Sequence, residues 1–345
     1  MRKTPASKTE LEIRKILAHD YGIHKISITG KMFDFAVNSF FVEKPYPTLI
    51  DVPPDHKVYL EKLQTGLKEI GCSLYDIKRI IVTHPHFDHF GAAQTISELS
   101  GAEVWVTRKG AHWLQDFERE SRSEEIARTE FLRQAGAVDN DIQEVDKYYR
   151  IAIPLARSVK STKHLSEGDL FALSTLVFTV TEVPGHTPWC ILLHDAEKKL
   201  GFSGDCLQTV TSAPLIQRNI RSLQPYNSLK SYIKSLERID RMGLQTVLPG
   251  HGEIIENGSR RAKQLLAIIN QRRIAVMEFL KNGEQTPARI GRKIFPGLLP
   301  GRLFNAISEV MAHLEILEAD GLVHRAGEHP IRFSTLKPVK TGHRL

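Results

Sequence analysis

The sequence predicts an α/β protein in which a sheet core is covered by helices, followed by a small, mainly helical, basic region. Three observations lead there. Short apolar runs rich in β-branched residues alternate with helical stretches over the first half of the chain. Histidines and aspartates stand just past the ends of such runs, where a rigid sheet can aim loop side chains at a common point. The charge balance then changes: residues 257–345 carry 15 Lys or Arg against 7 Asp or Glu, whereas residues 1–256 carry 32 against 33. A length of 345 residues favours two domains, divided here into residues 1–256 and 257–335, with a flexible tail at 336–345.

Strands are expected at Lys25 to Thr29, Phe35 to Val42, Thr48 to Val52, Ile80 to Thr83 and Val104 to Thr107, with helices at Tyr59 to Ile70 and Ala92 to Leu99. Residues 109–150 break that rhythm with three helical stretches, Lys109 to Arg119, Ile126 to Gln134 and Asp139 to Tyr148. They bring Trp113, Phe117, Phe131, Tyr148 and Tyr149, and an insertion so placed is expected to cap the site and give it an aromatic wall. Later apolar runs end at Val183, Phe202 and Val247. Ser259 to Phe279 reads as a long amphipathic helix, Thr286 as the N-cap and Pro287 as the first turn of a second, and Gly301 to Ala319 as a third. Leu322 to Arg325 and Ile331 to Ser334 are expected to pair as a wing around Gly327 and Pro330, with Phe279, Phe295, Phe304 and Phe333 in the core.

The chemistry concentrates in Thr83-His84-Pro85-His86-Phe87-Asp88-His89-Phe90-Gly91, which packs three imidazoles and a carboxylate into six residues directly behind Ile80-Ile81-Val82. Neutral imidazole and carboxylate suit zinc-like ions, and four ligands from so short a segment crowd one centre. His84 and His86 are therefore expected on one cation, Asp88 and His89 on a second. The same ligand types recur as His186, Asp205 and His251 behind the later apolar runs, each beside a glycine that lets backbone approach an ion. Two cations about 3.5 to 4 Å apart acidify a shared water, polarise a carbonyl or phosphoryl oxygen and stabilise the charge developing there, so hydrolysis by a metal-bridging hydroxide is the expected reaction. Asp88 is the candidate catalytic carboxylate, orienting that hydroxide or carrying a proton to the leaving group.

No apolar run reaches the roughly 18 residues of a membrane helix and Met1-Arg2-Lys3-Thr4-Pro5 leads into polar sequence, so a cytoplasmic chain without membrane association is expected. Cys72, Cys190 and Cys206 form no CxxC pair or even-numbered framework, which fits a reducing compartment, and Cys206 is expected as a buried packing residue. Arg289, Arg292, Lys293 and Arg302 gather at the turn of the C-terminal helices. They would neutralise phosphates and give salt-sensitive nucleic-acid binding, or form a solvated face on a region that dimerises or closes over the site.

In order, His84, His86, Asp88, His89, His186, Asp205 and His251 resemble the full ligand set of the metallo-β-lactamase-fold hydrolases, in the variant shared by glyoxalase II-like enzymes. The resemblance spans roughly residues 23 to 256. It implies an αββα sandwich, a first metal on His84, His86 and His186, a second on Asp88, His89 and His251, and Asp205 bridging the two. Zinc is the ion implied, with iron or manganese also suited to such ligands. Asp51 matches a position whose carboxylate orients a ligand imidazole, although Val52-Pro53-Pro54 follows it here in place of Thr-Gly. The C-terminal region is similar to the winged-helix tail on one branch of these proteins, a branch with ribonuclease-like members. The function implied is a dinuclear metal-dependent hydrolase of a small ester, thioester or lactone, and the alternative is a ribonuclease or phosphodiesterase gripping nucleic acid through its basic tail. Cys206-Leu207-Gln208-Thr209 stands where the lactonase branch carries a tyrosine.

Overall fold

The computed structural model describes residues 8–30, 32–33, 35–209, 227–299 and 302–336. Gly301 and residues 337–345, to which the sequence reading assigns a helix start and a flexible tail, lie outside them. Helix α1 (Lys8–Tyr21) leads into β1 (Ile23–Thr29), β2 (Ala36–Val42) and β3 (Thr48–Ile50). Then come α2 (Lys57–Glu69), β4 (Arg79–Ile81), the single turn α3 (Phe87–Phe90), α4 (Ala93–Ser100) and β5 (Glu103–Thr107). The insertion is α5 (Arg108–Gln115), α6 (Phe117–Gln134) and α7 (Asp139–Ala152). After it, β6 (Lys163–Leu165) completes a six-stranded sheet in the order β1-β2-β3-β4-β5-β6, parallel from β3 onward.

A second six-stranded sheet holds β7 (Leu170–Leu173), β8 (Leu176–Glu182), β9 (Ile191–Asp195), β10 (Leu200–Gly204), β11 (Thr246–Pro249) and β12 (Ile255–Glu256). Helix α8 (Ser228–Met242) supplies the crossover that the parallel pair β10–β11 requires. Successive strand residues point to opposite faces, and the chain uses both. Ile80 and Val82 pack with Leu63 and Leu67 of α2 and Ile96 of α4, while Ile81 between them packs with Phe178 and Phe202 of the other sheet. Leu193 and Leu248 likewise face the inter-sheet core, and their neighbours Leu192 and Val247 face Tyr232, Leu236 and Ile239 of α8. Apolar residues on both faces of each sheet force a helix–sheet–sheet–helix stack, the αββα sandwich the sequence implied.

The C-terminal elements are α9 (Gly258–Leu280), α10 (Pro287–Ile294), α11 (Leu303–Ala319) and an antiparallel hairpin of β13 (Val323–Ala326) and β14 (Arg332–Thr335). Thr286 caps α10 by accepting from Arg289 N, with Pro287 in the first turn, because proline there forfeits only an N–H that lacks a helical partner anyway. These elements do not close a core alone. Val276, Leu280, Phe304, Ile307 and Phe333 share one cluster with Phe131, Leu132, Ile142 and Val145 of the insertion. Ala288 N donates to Ala135 O at 2.9 Å and Ile331 N to Gln134 O at 2.8 Å. Helix α11 is buried around nearly its whole circumference, polar Asn305, Ser308, Glu309 and His313 included. No helix among the described residues is long and apolar enough to cross a membrane.

Candidate metal centre

The candidate ligands follow the carboxyl ends of four strands: His84, His86, Asp88 and His89 behind β4, His186 behind β8, Asp205 behind β10 and His251 behind β11. Both sheets therefore contribute to one edge of the sandwich. All seven side chains converge there. His86 Nδ1 lies 3.1 Å from His84 Nε2 and 2.9 Å from His186 Nε2. His251 Nε2 lies 3.2 Å from His89 Nε2 and 3.4 Å from Asp88 Oδ2. His84, His86 and His186 form one group able to hold an ion, and Asp88, His89 and His251 another. Asp205 lies between them, with Oδ2 3.3 Å from His186 Nε2 and Oδ1 3.4 Å from His89 Nε2 and 3.6 Å from His251 Nε2.

The hydrogen bonds around the imidazoles settle which nitrogen faces inward. His89 Nδ1 donates to Asp51 Oδ2 at 2.8 Å and His251 Nδ1 to the Ala36 carbonyl at 2.6 Å. The Thr83 hydroxyl gives its proton to Asp51 Oδ2 and so accepts from His84 Nδ1 at 3.2 Å. Each acceptor fixes the proton on Nδ1 and leaves the Nε2 lone pair free for a cation. Asp51 also accepts from Thr83 N at 2.8 Å, and holds a left-handed φ of 56° while doing so. An aspartate tolerates that region better than most residues, and the three bonds to its carboxylate offset the strain.

The donor set fits divalent metal. Tetrahedral zinc with Zn–N near 2.0 to 2.1 Å puts ligand nitrogens roughly 3.3 Å apart, close to the separations present. Asp205 Oδ1 is buried without a hydrogen-bond partner, an arrangement that is costly unless a cation completes it. Electrostatics agree. Burial and then the neighbouring imidazoles hold His84 well below its usual value, so it is neutral and ready to ligate. Burial also opposes charge on His89, but Asp205, Asp51 and Asp88 outweigh it and push that imidazole up to about 10. Burial would raise Asp88, yet His89 and His251 together hold it below the carboxylate range.

The raised His89 ties the stability of the chain to pH. In the metal-free chain its protonated form contributes stability that is complete below the ordinary value of 6.5 and is lost as pH climbs toward about 10. A cation must displace that proton. Metal binding at pH 7 is therefore expected to release about one proton from this group, and affinity to rise between pH 6.5 and 10. Calorimetry in two buffers of different ionisation enthalpy measures the release; proton-neutral binding would remove His89 from the ligand set.

Aromatic side chains gather beside His251. Phe33 lies 5.2 Å from Phe35 and from Phe87 and 5.7 Å from Tyr148 of α7, and Phe35 meets the His251 ring edge-on at 5.2 Å. Trp113 of α5 rests against Trp189 at 5.3 Å, three residues past His186 in sequence. Of the five aromatics expected to wall the site, Tyr148 meets Phe33 and Trp113 meets Trp189, and both also pack against the core behind the first sheet. Phe117 and Phe131 are buried in core clusters instead, and Tyr149 packs on Phe304. Sequence reasoning also missed Thr83, Ala36, Asn38 and Lys25; the detectable signal was an amide at Asn38 beside Val37 and a cation at Lys25 beside Ile26, within strand-like runs. Cys206 is fully buried, as expected.

Comparison with known proteins gives a consistent picture. Residues 32–251 match the family model described as the metallo-beta-lactamase superfamily. The protein named "Probable metallo-hydrolase YqjP" of Bacillus subtilis (strain 168) is 27% identical over 301 residues, covering 84% of this chain and 90% of that one. The acyl-coenzyme A thioesterase MBLAC2 of Gallus gallus is 29% identical over 184 residues, 50% of this chain and 55% of that one. The hydroxyacylglutathione hydrolase GloC of Haemophilus influenzae is 29% identical over 147 residues, 43% of this chain and 56% of that one. A metallo-beta-lactamase family protein of Thermus thermophilus superposes with a TM-score of 0.77 at 23% identity, over 91% of this chain and 99% of that one, which shows the shared fold. More than half of the chain lies within the family match, and the chain belongs to the metallo-beta-lactamase superfamily as a metal-dependent hydrolase.

Proposed function

We propose that the chain is a dinuclear zinc hydrolase of small acyl thioesters, with simple esters as poorer substrates. The observation that carries this reading is the carboxylate of Asp205, which turns one oxygen toward each ligand group. When bound, two divalent cations supply Lewis acidity and lower the pKa of a water between them toward neutrality. The chain's own residues supply the rest. Asp88, held ionised, would accept a proton from the attacking water and return it to the departing thiolate. The Phe33, Phe35, Phe87 and Tyr148 wall offers an apolar seat for the acyl group and keeps bulk water from the reacting carbon. The two relatives named for acyl-coenzyme A and hydroxyacylglutathione both act on thioesters by those names, which favours sulfur as the leaving atom.

The nuclease reading ranks second because α11, the helix that would lie in a groove of nucleic acid, is covered on nearly every side, and Arg292 is paired with Asp141. One metal-quantified sample tested on acyl thioesters, p-nitrophenyl esters, a lactone, a phosphodiester and a labelled single-stranded RNA separates the two. Asp88→Asn is expected to lower thioester turnover by about 10² to 10⁴-fold. RNA cleavage that falls with Asp88→Asn and with added salt, together with inert thioesters, would overturn the proposal.

A further inference from the structure

His251 stands on a turn between β11 and β12 rather than in a strand or helix. It stands between Gly250 and Gly252, Gly252 has φ +80°, and six residues separate it from the start of α9. Two glycines in a turn bring conformational freedom, and a metal ligand on such a turn needs outside restraint. The restraint comes from the opposite sheet. Asn38 N donates to Gly250 O at 2.8 Å, and Asn38 Nδ2 donates to Pro249 O at 2.8 Å and to Gly252 O at 2.9 Å. Ser27 Oγ donates to Asn38 Oδ1 at 2.8 Å, which fixes the amide's orientation. Gly252 O also accepts from Lys25 Nζ at 2.7 Å, and the same ammonium donates to Glu10 Oε1 of α1 at 2.6 Å. The Lys25 and Glu10 side chains are each only 4% exposed.

A buried ion pair is a poor stabiliser, because desolvation roughly cancels the attraction, so its presence here calls for another account. Lys25 has one: its ammonium forms a charge-assisted bond to the turn that carries His251. We propose that Lys25, held by Glu10, is a positioning residue for the second cation, tying α1 to the His251 turn and fixing where His251 Nε2 points. The inference rests on the dinuclear reading. It also makes α1 a part of the metal centre, although no residue of α1 touches a ligand side chain in the bonds described.

Replacing both members of the pair with apolar residues of similar length, Glu10→Met with Lys25→Met, separates positioning from stability. Apolar replacement of a buried pair is often neutral for folding, so the melting temperature of the metal-free chain is expected to hold within a few degrees. Competition with a chromogenic chelator is expected to show the second cation bound about tenfold more weakly, with the first unchanged on His84, His86 and His186 as an internal control. Parental affinity for both cations in a folded variant would overturn the proposal. Should the double variant fail to fold, Glu10→Gln is read by the same criterion; it keeps an acceptor for Lys25 but loses the charge, so a several-fold weakening is expected and no change overturns. The parent's own stoichiometry separates the two levels: one cation per chain overturns the dinuclear reading, whereas two that persist in the variant overturn only the role of Lys25.

Discussion

Asp205→Ala is expected to reduce acyl hydrolysis by about 10³-fold or more and to lower bound metal from two ions per chain toward one. Its carboxylate reaches both ligand groups within 3.6 Å, His186 through one oxygen and His89 and His251 through the other. On the proposed dinuclear reading, alanine there would leave the two cations without a shared ligand. A second readout needs no activity at all. Burial opposes charge on His89, and the Asp205 charge is the largest single influence that pushes it upward, so the metal-free variant should titrate His89 lower than the parent does. Histidine resonances followed through a pH series measure this shift. A variant that keeps two ions, activity within tenfold and an unmoved His89 would show that Asp205 joins nothing.

Gly250→Ala should be nearly as damaging although it adds only a methyl group. A Cβ at this position would fall 2.4 Å from His89 Cε1 and 2.7 Å from Asp205 Oδ1, well inside contact distance. Neither neighbour is the free end of a flexible side chain. His89 is fully buried and bonded to Asp51, and Asp205 is packed between the ligand groups. Overpacking of this kind costs about 1 to 3 kcal/mol. Displacing two ligands together is expected to cost about 100-fold or more in turnover, as misplacements of about 1 Å do. Thermal melting with steady-state kinetics checks both, and a variant with parental kinetics would mean the edge of the sandwich is softer than its packing implies. At Gly71 or Gly101, where an added Cβ meets nothing, clashes of this kind do not arise.

These two cases show what the sequence could and could not convey. The candidate ligands were legible because His84, His86, Asp88 and His89 crowd six positions and the other three each follow an apolar run, a pattern that survives without three-dimensional context. The C-terminal helices were legible for a similar local reason, with Thr286 and Pro287 announcing α10 where it begins. Strands β6, β7, β9 and β12 were not expected. Three of them have five residues or fewer beside turns and β12 has two, too few for an alternating period to stand out. The grip of Asn38 and Lys25 on the His251 turn spans 211 and 227 positions of sequence, and no local rule relates residues so far apart. The insertion split for the same reason: which of its aromatics reach the site and which fill a core depends on how α6 and α7 meet α10 and α11, and a helix period reports only that an apolar face exists.

That meeting of the insertion with the C-terminal elements limits how the gene can be cut. A chain ended after Glu256 would strip Val276, Ile307 and Phe333 from a cluster that also covers Phe131, Leu132 and Val145. The remaining piece would present that apolar surface to water and be prone to aggregate, so trimming at the compositional boundary would not yield a smaller working enzyme. Shortening from within meets the same obstacle, because removing α6 and α7 uncovers the other half of the cluster. The two segments lie more than a hundred residues apart in sequence, yet any shuffling or redesign must carry them as one cassette.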